Sequence, residues 1–244
     1  MRLGGCLAER LSHYLVLTAH EEAALNSLEQ NERRFRRGTI VRHEQDSARD
    51  LFVVRKGWLF SSVLLGNGSR QILRLHFPGD LIGMSNLALG ASAESLVAVT
   101  DASLCPFDKE RLAGLFEDHP RLAALLFTLT VAERVSLADR LASIGRTSAR
   151  ARVGSLLCEI WARLKIMGAD AEAFHMPMTQ EDIGDATGLT AVHVNRMMRC
   201  LADDGLIERK GGHVRLLDGA RLADEAGFVD RFASVDTSWL PPAR

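Results

Sequence analysis

The chain has 244 residues, with 30 Lys and Arg against 31 Asp and Glu, so its charge balance neither indicates nor excludes a nucleic-acid partner. No apolar run approaches the length that spans a bilayer, and the first residues lack the apolar core of a signal peptide, so we expect a cytoplasmic protein. The four cysteines form no CxxC pair and the histidines form no HExxH motif, so we expect no metal.

The front half of the chain predicts a short helix followed by an antiparallel β-domain. Residues 18–30 begin with Thr18 as a helix cap and carry Glu21 three positions later. Short β-rich segments then recur at 39–41, 51–55, 58–65, 70–76, 96–100 and 103–107. The Gly-Asn-Gly turn at 66–68 separates two of them. This spacing favours an antiparallel barrel or jelly roll.

A long helix is predicted over residues 119–144, because Pro120 suits a first turn and apolar residues recur at helical spacing. The apolar positions cover more than one side, so we expect one side to pack on the protein's own barrel and another on a second copy. The alternative is a helix buried within one monomer. The predicted dimer contacts are Leu122, Leu125, Leu129, Ala132 and Ser136. Gly145 interrupts the pattern and is a candidate hinge.

A further helix is predicted at 148–165, followed by a polar and alanine-containing linker at 168–173. Residues 178–218 then give a helix, a tight turn and a second helix. Thr179 caps the first helix, with Asp182 completing a capping box, and Gly188 is the stop. Thr190 caps the second helix, which Gly205 closes.

The second helix has a buried stripe of Val194, Met197, Met198 and Leu201. Two strands at 206–210 and 213–217 follow, joined by a Gly-Gly turn. This order of elements predicts a winged helix-turn-helix, which places its second helix in the major groove of DNA.

Polar side chains that fall off the buried stripe predict the DNA contacts. Arginine can bind guanine O6 and N7 with two hydrogen bonds, and asparagine can pair similarly with adenine. Threonine and the backbone amides at the helix starts can hold phosphates. The predicted contacts are Thr179, Thr190, Val192, His193, Asn195, Arg196 and Arg199. An ordinary helical hairpin with a solvated polar face is the alternative.

The charge of this module is less basic than that of most DNA-binding faces. Over residues 178–217 there are five Lys and Arg (196, 199, 209, 210, 215) and six Asp and Glu (181, 182, 185, 203, 204, 208). We therefore expect modest nonspecific affinity and a shallow salt slope per subunit, with a contribution from dimer avidity.

The predicted order of elements is a β-barrel, a long helix, a hinge and a winged helix-turn-helix. This order resembles the CRP/FNR family of bacterial transcription regulators, as do the segments PGDLIG at 78–83 and TQEDIGDATGLTAVHVNR at 179–196. The resemblance implies an α+β fold with a cyclic-nucleotide-binding-like jelly roll at 1–118, a dimerisation helix and hinge at 119–145 and a winged helix-turn-helix at 146–244. It also implies a homodimer that senses an effector, binds double-stranded DNA and contacts RNA polymerase.

The predicted sensor pocket departs from the family pattern. In cAMP-responsive members a glutamate follows the glycine that closes the PGD motif, whereas Met84 follows Gly83 here. The Arg-Ser pair that holds the cyclic phosphate is replaced by Glu94-Ser95, whose carboxylate would repel a phosphate. The sequence therefore predicts no cAMP binding of the usual kind.

Other family cofactors are not expected either. Only Cys6 lies where oxygen-sensing members place their iron–sulfur cysteines. Haem-dependent relatives have a histidine where this chain has Ser85, and His76 reads as a strand residue. The effector is then another small molecule, or the protein needs none.

The recognition helix departs as well. Val192 stands where many members have a glutamate that reads cytosine, and its apolar side chain could contact a thymine methyl instead. Arg196 matches the guanine-reading arginine, so the expected target is a pseudo-palindrome with one dependable G per half-site. Cys200 lies in this helix and is a candidate redox switch, although reduced and mostly buried cysteines are the simpler interpretation.

These observations favour a dimeric, sequence-specific transcription regulator. The alternative is a ligand-sensing signalling module without DNA binding, which only the acidic balance of the C-terminal module supports. No nucleophile–base pair, metal-ligand motif or Walker loop indicates an enzyme. The tail at 219–244 predicts little beyond a short helix at 221–232.

Overall fold

The computed structural model describes residues 5–47, 50–166 and 173–243. The chain divides into two compact units. The first contains Met1–Leu64, Leu73–Val131 and Val235–Arg244, and the second contains Leu65–Ile72 and Ala132–Ser234. Within the described ranges, no helix combines the length and the apolar character needed to cross a membrane.

The first unit is built from short helices and two four-stranded sheets. Helices α1 (Cys6–Leu11) and α2 (Ala19–Ser27) precede the strands, and α3 (Lys109–Asp118) follows them. The strands are β1 (Arg33–Phe35), β2 (Ile40–Arg42), β3 (Leu51–Lys56), β4 (Leu59–Leu64), β5 (Arg70–His76), β6 (Leu81–Ile82), β7 (Ser95–Ala98) and β8 (Ala102–Phe107). Residues 70–72 of β5 are assigned to the second unit. A 3-10 turn occupies Met84–Leu87.

The sheets have the orders β1-β8-β3-β6 and β2-β7-β4-β5. The pairs β1–β8, β3–β8, β3–β6, β2–β7 and β4–β7 are all antiparallel. Buried apolar side chains from strands of both sheets, such as Phe52, Leu59, Leu96 and Leu104, form one core cluster. The predicted antiparallel jelly roll is confirmed.

Helix α4 runs over Pro120–Arg146 and is 27 residues long. It passes through Gly145 and ends one residue later, and the role of Gly145 as a hinge stays a prediction. A solvent-exposed glycine weakens a helix without ending it, and nothing lies within 4 Å of a Cβ built there.

The second unit contains helices and a small sheet. It includes the part of α4 from Ala132 onward. Its other helices are α5 (Ala149–Ile166), α6 (Gln180–Thr187), α7 (Ala191–Asp203) and α8 (Gly219–Ala226). Strands β9 (Ala173–His175), β10 (Ile207–Lys210) and β11 (His213–Leu216) form an antiparallel sheet in the order β10-β11-β9.

The end of the second unit folds back on its own body. Arg231 binds the carboxylate of Asp139 through hydrogen bonds of 2.7 and 3.1 Å. The guanidinium of Arg163 lies 5.0 Å from the ring centre of Phe232. The predicted tail helix at 221–232 instead starts at Gly219 and ends at Ala226, because Gly227 adopts a left-handed conformation with φ of 61°.

Several elements lie outside the sequence prediction. The helices α1 and α3 and the strands β1, β6 and β9 were not predicted. Apart from residue 173, which begins β9, the predicted linker at 168–173 falls outside the described residues.

Candidate DNA-recognition site

Helix α6 begins with a complete capping box. The Thr179 Oγ1 accepts a hydrogen bond from the Asp182 backbone N–H at 3.1 Å. In return, the Asp182 carboxylate accepts one from the Thr179 backbone N–H at 2.9 Å. These bonds satisfy amides that a helix start would otherwise leave without partners.

The turn between α6 and α7 depends on two glycines. Gly188 ends α6 with a φ of 67°, a left-handed conformation that favours glycine. Gly184 has a different role, because a Cβ at this position would lie 2.4 Å from the Leu189 carbonyl oxygen. Sequence reasoning missed Gly184, although a glycine inside a helix was itself a signal of close packing.

Helix α7 buries one face and exposes another. Val194, Met198 and Leu201 are at most 1% exposed, whereas Met197 is only half-buried. This segregation orients the remaining side chains outward.

The predicted contacts Val192, His193, Arg196 and Arg199 lie on the exposed face, and Asn195 is half-buried. Thr190 caps the helix by accepting a hydrogen bond from the His193 backbone N–H at 3.3 Å. In the part of the chain that the structure describes, no ion pair engages Arg196 or Arg199. Both guanidinium groups are therefore available to bases or phosphates.

The wing follows α7 as predicted. Gly211 and Gly212 join β10 to β11 with φ values of 58° and 79°, which fit a two-residue hairpin turn. The third strand, β9, pairs with β11 and places His175 opposite His213. Basic Arg209 and Lys210 are exposed beside the turn.

Three of the six acidic residues in this module form ion pairs with two arginines from outside it. Asp182 and Asp185 both bind Arg70, and Asp204 binds Arg150. Burial lowers the pKa of Arg70, but the hydrogen bonds and charges of the two carboxylates outweigh this and raise it. The module is thus less acidic than its own sequence indicates.

The cysteines differ in their accessibility. Cys200 is half-buried in α7. Cys158 is buried, and this burial raises its pKa to about 12. Burial, with the charge of Glu29, raises the pKa of Cys6 to about 11. Because the thiolate is the reactive form, Cys6 and Cys158 are poorly suited to oxidation, and the Cys200 switch remains a prediction.

Around the predicted sensor pocket, Arg42 is a residue that sequence reasoning missed. Gly83 has a φ of 88°, and a Cβ there would lie 3.3 Å from an Arg42 guanidinium nitrogen. Arg42 donates a 2.6 Å hydrogen bond to the Asp50 carbonyl oxygen. Burial lowers the pKa of Arg42, against the charges of Asp50, Asp46 and Glu94. Arg42 therefore lies beside Gly83 and its pKa responds to the charge of Glu94, while Met84 is half-buried on the 3-10 turn.

Two polar groups of the same unit are engaged internally. The Ser95 hydroxyl accepts a hydrogen bond from the Glu44 backbone N–H at 2.9 Å. His76 is 1% exposed, and its Nε2 lies 2.5 Å from the Ser61 hydroxyl oxygen. The position of His76 at the end of β5 agrees with its interpretation as a strand residue.

The predicted dimer contacts fall into two groups. Leu122 and Leu125 are 0% exposed and Leu129 is 7% exposed within the single chain, so their prediction as partner contacts is wrong. Apolar periodicity shows that two sides of a helix are covered but not which side meets the protein's own core. Ala132 and Ser136 are half-buried, and their role as contacts remains a prediction.

A different set of α4 side chains is exposed. Phe127, Val131, Leu137 and Leu141 are 64, 38, 43 and 74% exposed. At 100° per residue these four lie within about 120° of one another around the helix, so they form one apolar stripe. We call these residues the α4 stripe.

The β-roll, the long helix and the winged helix with an exposed polar recognition face define a DNA-binding regulator with an N-terminal sensor-like domain. Residues 32–119 match the model of the cyclic nucleotide-binding domain, and residues 151–225 match that of the Crp-like helix-turn-helix domain. The chain belongs to the CRP/FNR family of transcription regulators.

Individual relatives agree with this assignment. The nitrogen fixation regulation protein FixK of Bradyrhizobium diazoefficiens is 32% identical over 211 residues, which cover 85% of this chain and 87% of FixK. The transcriptional activator protein anr of Pseudomonas aeruginosa is 28% identical over 213 residues, 87% of each chain. The structure of FixK2 from Bradyrhizobium japonicum has a TM-score of 0.72 at 28% identity, covering 80% of this chain and 96% of FixK2.

These relatives are transcription regulators rather than enzymes. This protein is accordingly a DNA-binding regulator of the CRP/FNR type, and the alternative of a signalling module without DNA binding is set aside.

Proposed function

We propose that the protein acts as a homodimer on a pseudo-palindromic DNA site, with one α7 helix in the major groove of each half-site. The observation that carries this proposal is the α4 stripe, whose large apolar side chains are solvent-exposed in the single chain. Burying the same stripe of a second copy would remove this apolar surface from water. A two-fold axis between the copies then matches half-sites about 10 base pairs apart.

We further propose that the dimer activates transcription and contacts RNA polymerase. The relatives named as transcriptional activators support the direction of this effect. Transcription of a template with the bound site, with and without the protein, tests it.

We also propose that cyclic AMP does not bind in the predicted sensor pocket. The negative charge of Glu94, which raises the pKa of Arg42, would oppose a cyclic phosphate. The Ser95 hydroxyl already accepts a hydrogen bond from the Glu44 backbone N–H. Met84 offers no carboxylate to a ribose hydroxyl. We therefore propose that the protein either responds to a different small molecule or binds DNA without an effector.

The first test is selection of bound sequences from a random duplex pool by the purified full-length protein without added ligand. Enrichment of a pseudo-palindrome supports a dimer that needs no effector. Enrichment of a single half-site contradicts the dimer. Enrichment that requires added cell extract supports an effector-dependent regulator.

A further inference from the structure

Arg70 holds helix α6 through two carboxylates. Its Nη2 donates to Asp182 Oδ1 and its Nε donates to Asp185 Oδ2, each at 2.7 Å. The neighbouring Gln71 donates from Nε2 to the Asp185 carbonyl oxygen at 2.6 Å. All four residues belong to the second unit. Two consecutive side chains therefore engage both the side chains and the backbone of one short helix.

The Asp182 carboxylate connects this contact to the start of α6. Its other oxygen, Oδ2, accepts hydrogen bonds from the Thr179 backbone N–H at 2.9 Å and the Thr179 hydroxyl at 2.8 Å. Arg70, Asp182 and Thr179 thus form a continuous chain of hydrogen bonds. In a helix-turn-helix the first helix crosses the DNA backbone, so this chain reaches the end of α6 that approaches phosphates.

Electrostatics gives the contact a second consequence. Duplex DNA carries about one negative charge per 1.7 Å, and charges act over about 10 Å at 0.1 M salt. Unpaired carboxylates at positions 182 and 185 would therefore repel the backbone. The Arg70 guanidinium, 35% exposed, offsets one of these two charges and engages both groups.

We infer that Arg70 is a positioning residue for DNA binding, which orients the start of α6 and offsets the negative charge of Asp182 and Asp185. The inference rests on the DNA-binding function. It assigns part of that function to a residue 110 positions before Gln180, where α6 begins. Arg70 acts through α6 rather than by reading a base.

The test compares the full-length protein with Arg70→Gln on a fluorescent duplex carrying the selected site, by anisotropy over a range of salt. We expect Arg70→Gln to raise Kd about tenfold at ~0.05 M salt, with the difference shrinking as salt screens the carboxylates. Arg34→Gln is the matched control. It removes the same charge from an exposed arginine of β1 paired with Glu32, and it should leave Kd unchanged.

A compensating double variant distinguishes an electrostatic role of Arg70 from a purely structural one. Arg70→Gln with Asp185→Asn removes one charge of each sign, so the double variant should recover most of the lost affinity. Asp185→Asn alone should bind at least as tightly as the natural protein. If Arg70 only held α6 in place, the double variant would bind DNA as weakly as Arg70→Gln.

Circular dichroism and melting curves establish that each variant is folded before its Kd is compared. Unchanged or tighter binding by Arg70→Gln overturns the inference, as does failure of the double variant to recover. If the natural protein selects no DNA site, the dimer and site proposal has failed instead, and the two failures are distinguishable.

Discussion

Arg196 is exposed on α7 and is the residue predicted to read guanine. Arg196→Ala should cost about 1–3 kcal/mol of specific binding and relax discrimination at one position in each half-site. Competition binding against duplexes with single base changes measures both effects. Arg209→Ala, on the wing, is the control, because loss of a phosphate contact weakens binding to all sequences equally. Equal site preference in Arg196→Ala and the natural protein would contradict the assignment.

The local chemistry of the recognition site was predictable because it is encoded by neighbouring residues. Thr179, Asp182 and Gly188 form a cap and a stop that interact within a few positions, and the structure contains both. Arg70 and Asp182 are 112 positions apart, and no local pattern indicates that they meet. Likewise, a count of charges over residues 178–217 could not include Arg70 and Arg150, which lie outside that range but pair with its carboxylates.

Among the elements, the helix-turn-helix turn depends on the absence of a side chain at residue 184. Gly184→Ala would push a methyl group against the Leu189 carbonyl oxygen, so we expect a loss of about 1–3 kcal/mol in the free energy of unfolding. Thermal and urea unfolding measure it. Gly114→Ala in α3 is a matched helical control with open space around its Cβ, and it should stabilise by about 0.5–1 kcal/mol. An equal change in the free energy of unfolding for the two variants would contradict a close contact at residue 184.

The two sides of α4 predict opposite results for the same substitution. Leu141→Glu lies on the exposed stripe, so it should weaken self-association while the monomer stays folded. Leu125→Glu would bury a charge in the core and should unfold the protein. Sedimentation velocity and circular dichroism distinguish these outcomes. A Leu141→Glu protein that remains fully dimeric would place the interface elsewhere.

The α4 result also shows what apolar periodicity can and cannot predict. It correctly indicates a long helix covered on more than one side, because helical spacing is a local property. The choice between core and stripe depends on strands that are distant in sequence. Strand β9 was missed for a similar reason, since Phe174 is its single buried residue and its pairing with β11 spans about 40 positions.

For the whole molecule, the residues of the predicted sensor pocket lead us to expect no binding of cyclic AMP. Isothermal titration of the full-length protein with cAMP should show no saturable heat, and the melting temperature should not rise, because a ligand that binds only the folded state would stabilise it. Micromolar binding would contradict the proposal. Glu94→Arg combined with Met84→Glu restores the family's charge pattern, and a gain of binding in this variant would show that these residues determine the response.

The fold of the whole molecule was predictable from the order of its elements, since barrel, long helix and winged helix rarely occur together by chance. The effector could not be predicted from the sequence, because the chemistry of a pocket depends on which side chains the fold brings to it. Arg42 illustrates the difficulty, as its position beside Gly83 depends on the conformation of β2 and on the glycine's positive φ.

The contact between Arg231 and Asp139 determines how far the protein can be shortened. A chain cut after Gly227 would leave Asp139 without its arginine and would remove Phe232 from beneath Arg163. The shortest form that preserves the second unit therefore extends at least to Ser234. A reporter inserted directly after α8 would break the same contacts and would disturb the long helix as well as the wing-bearing module.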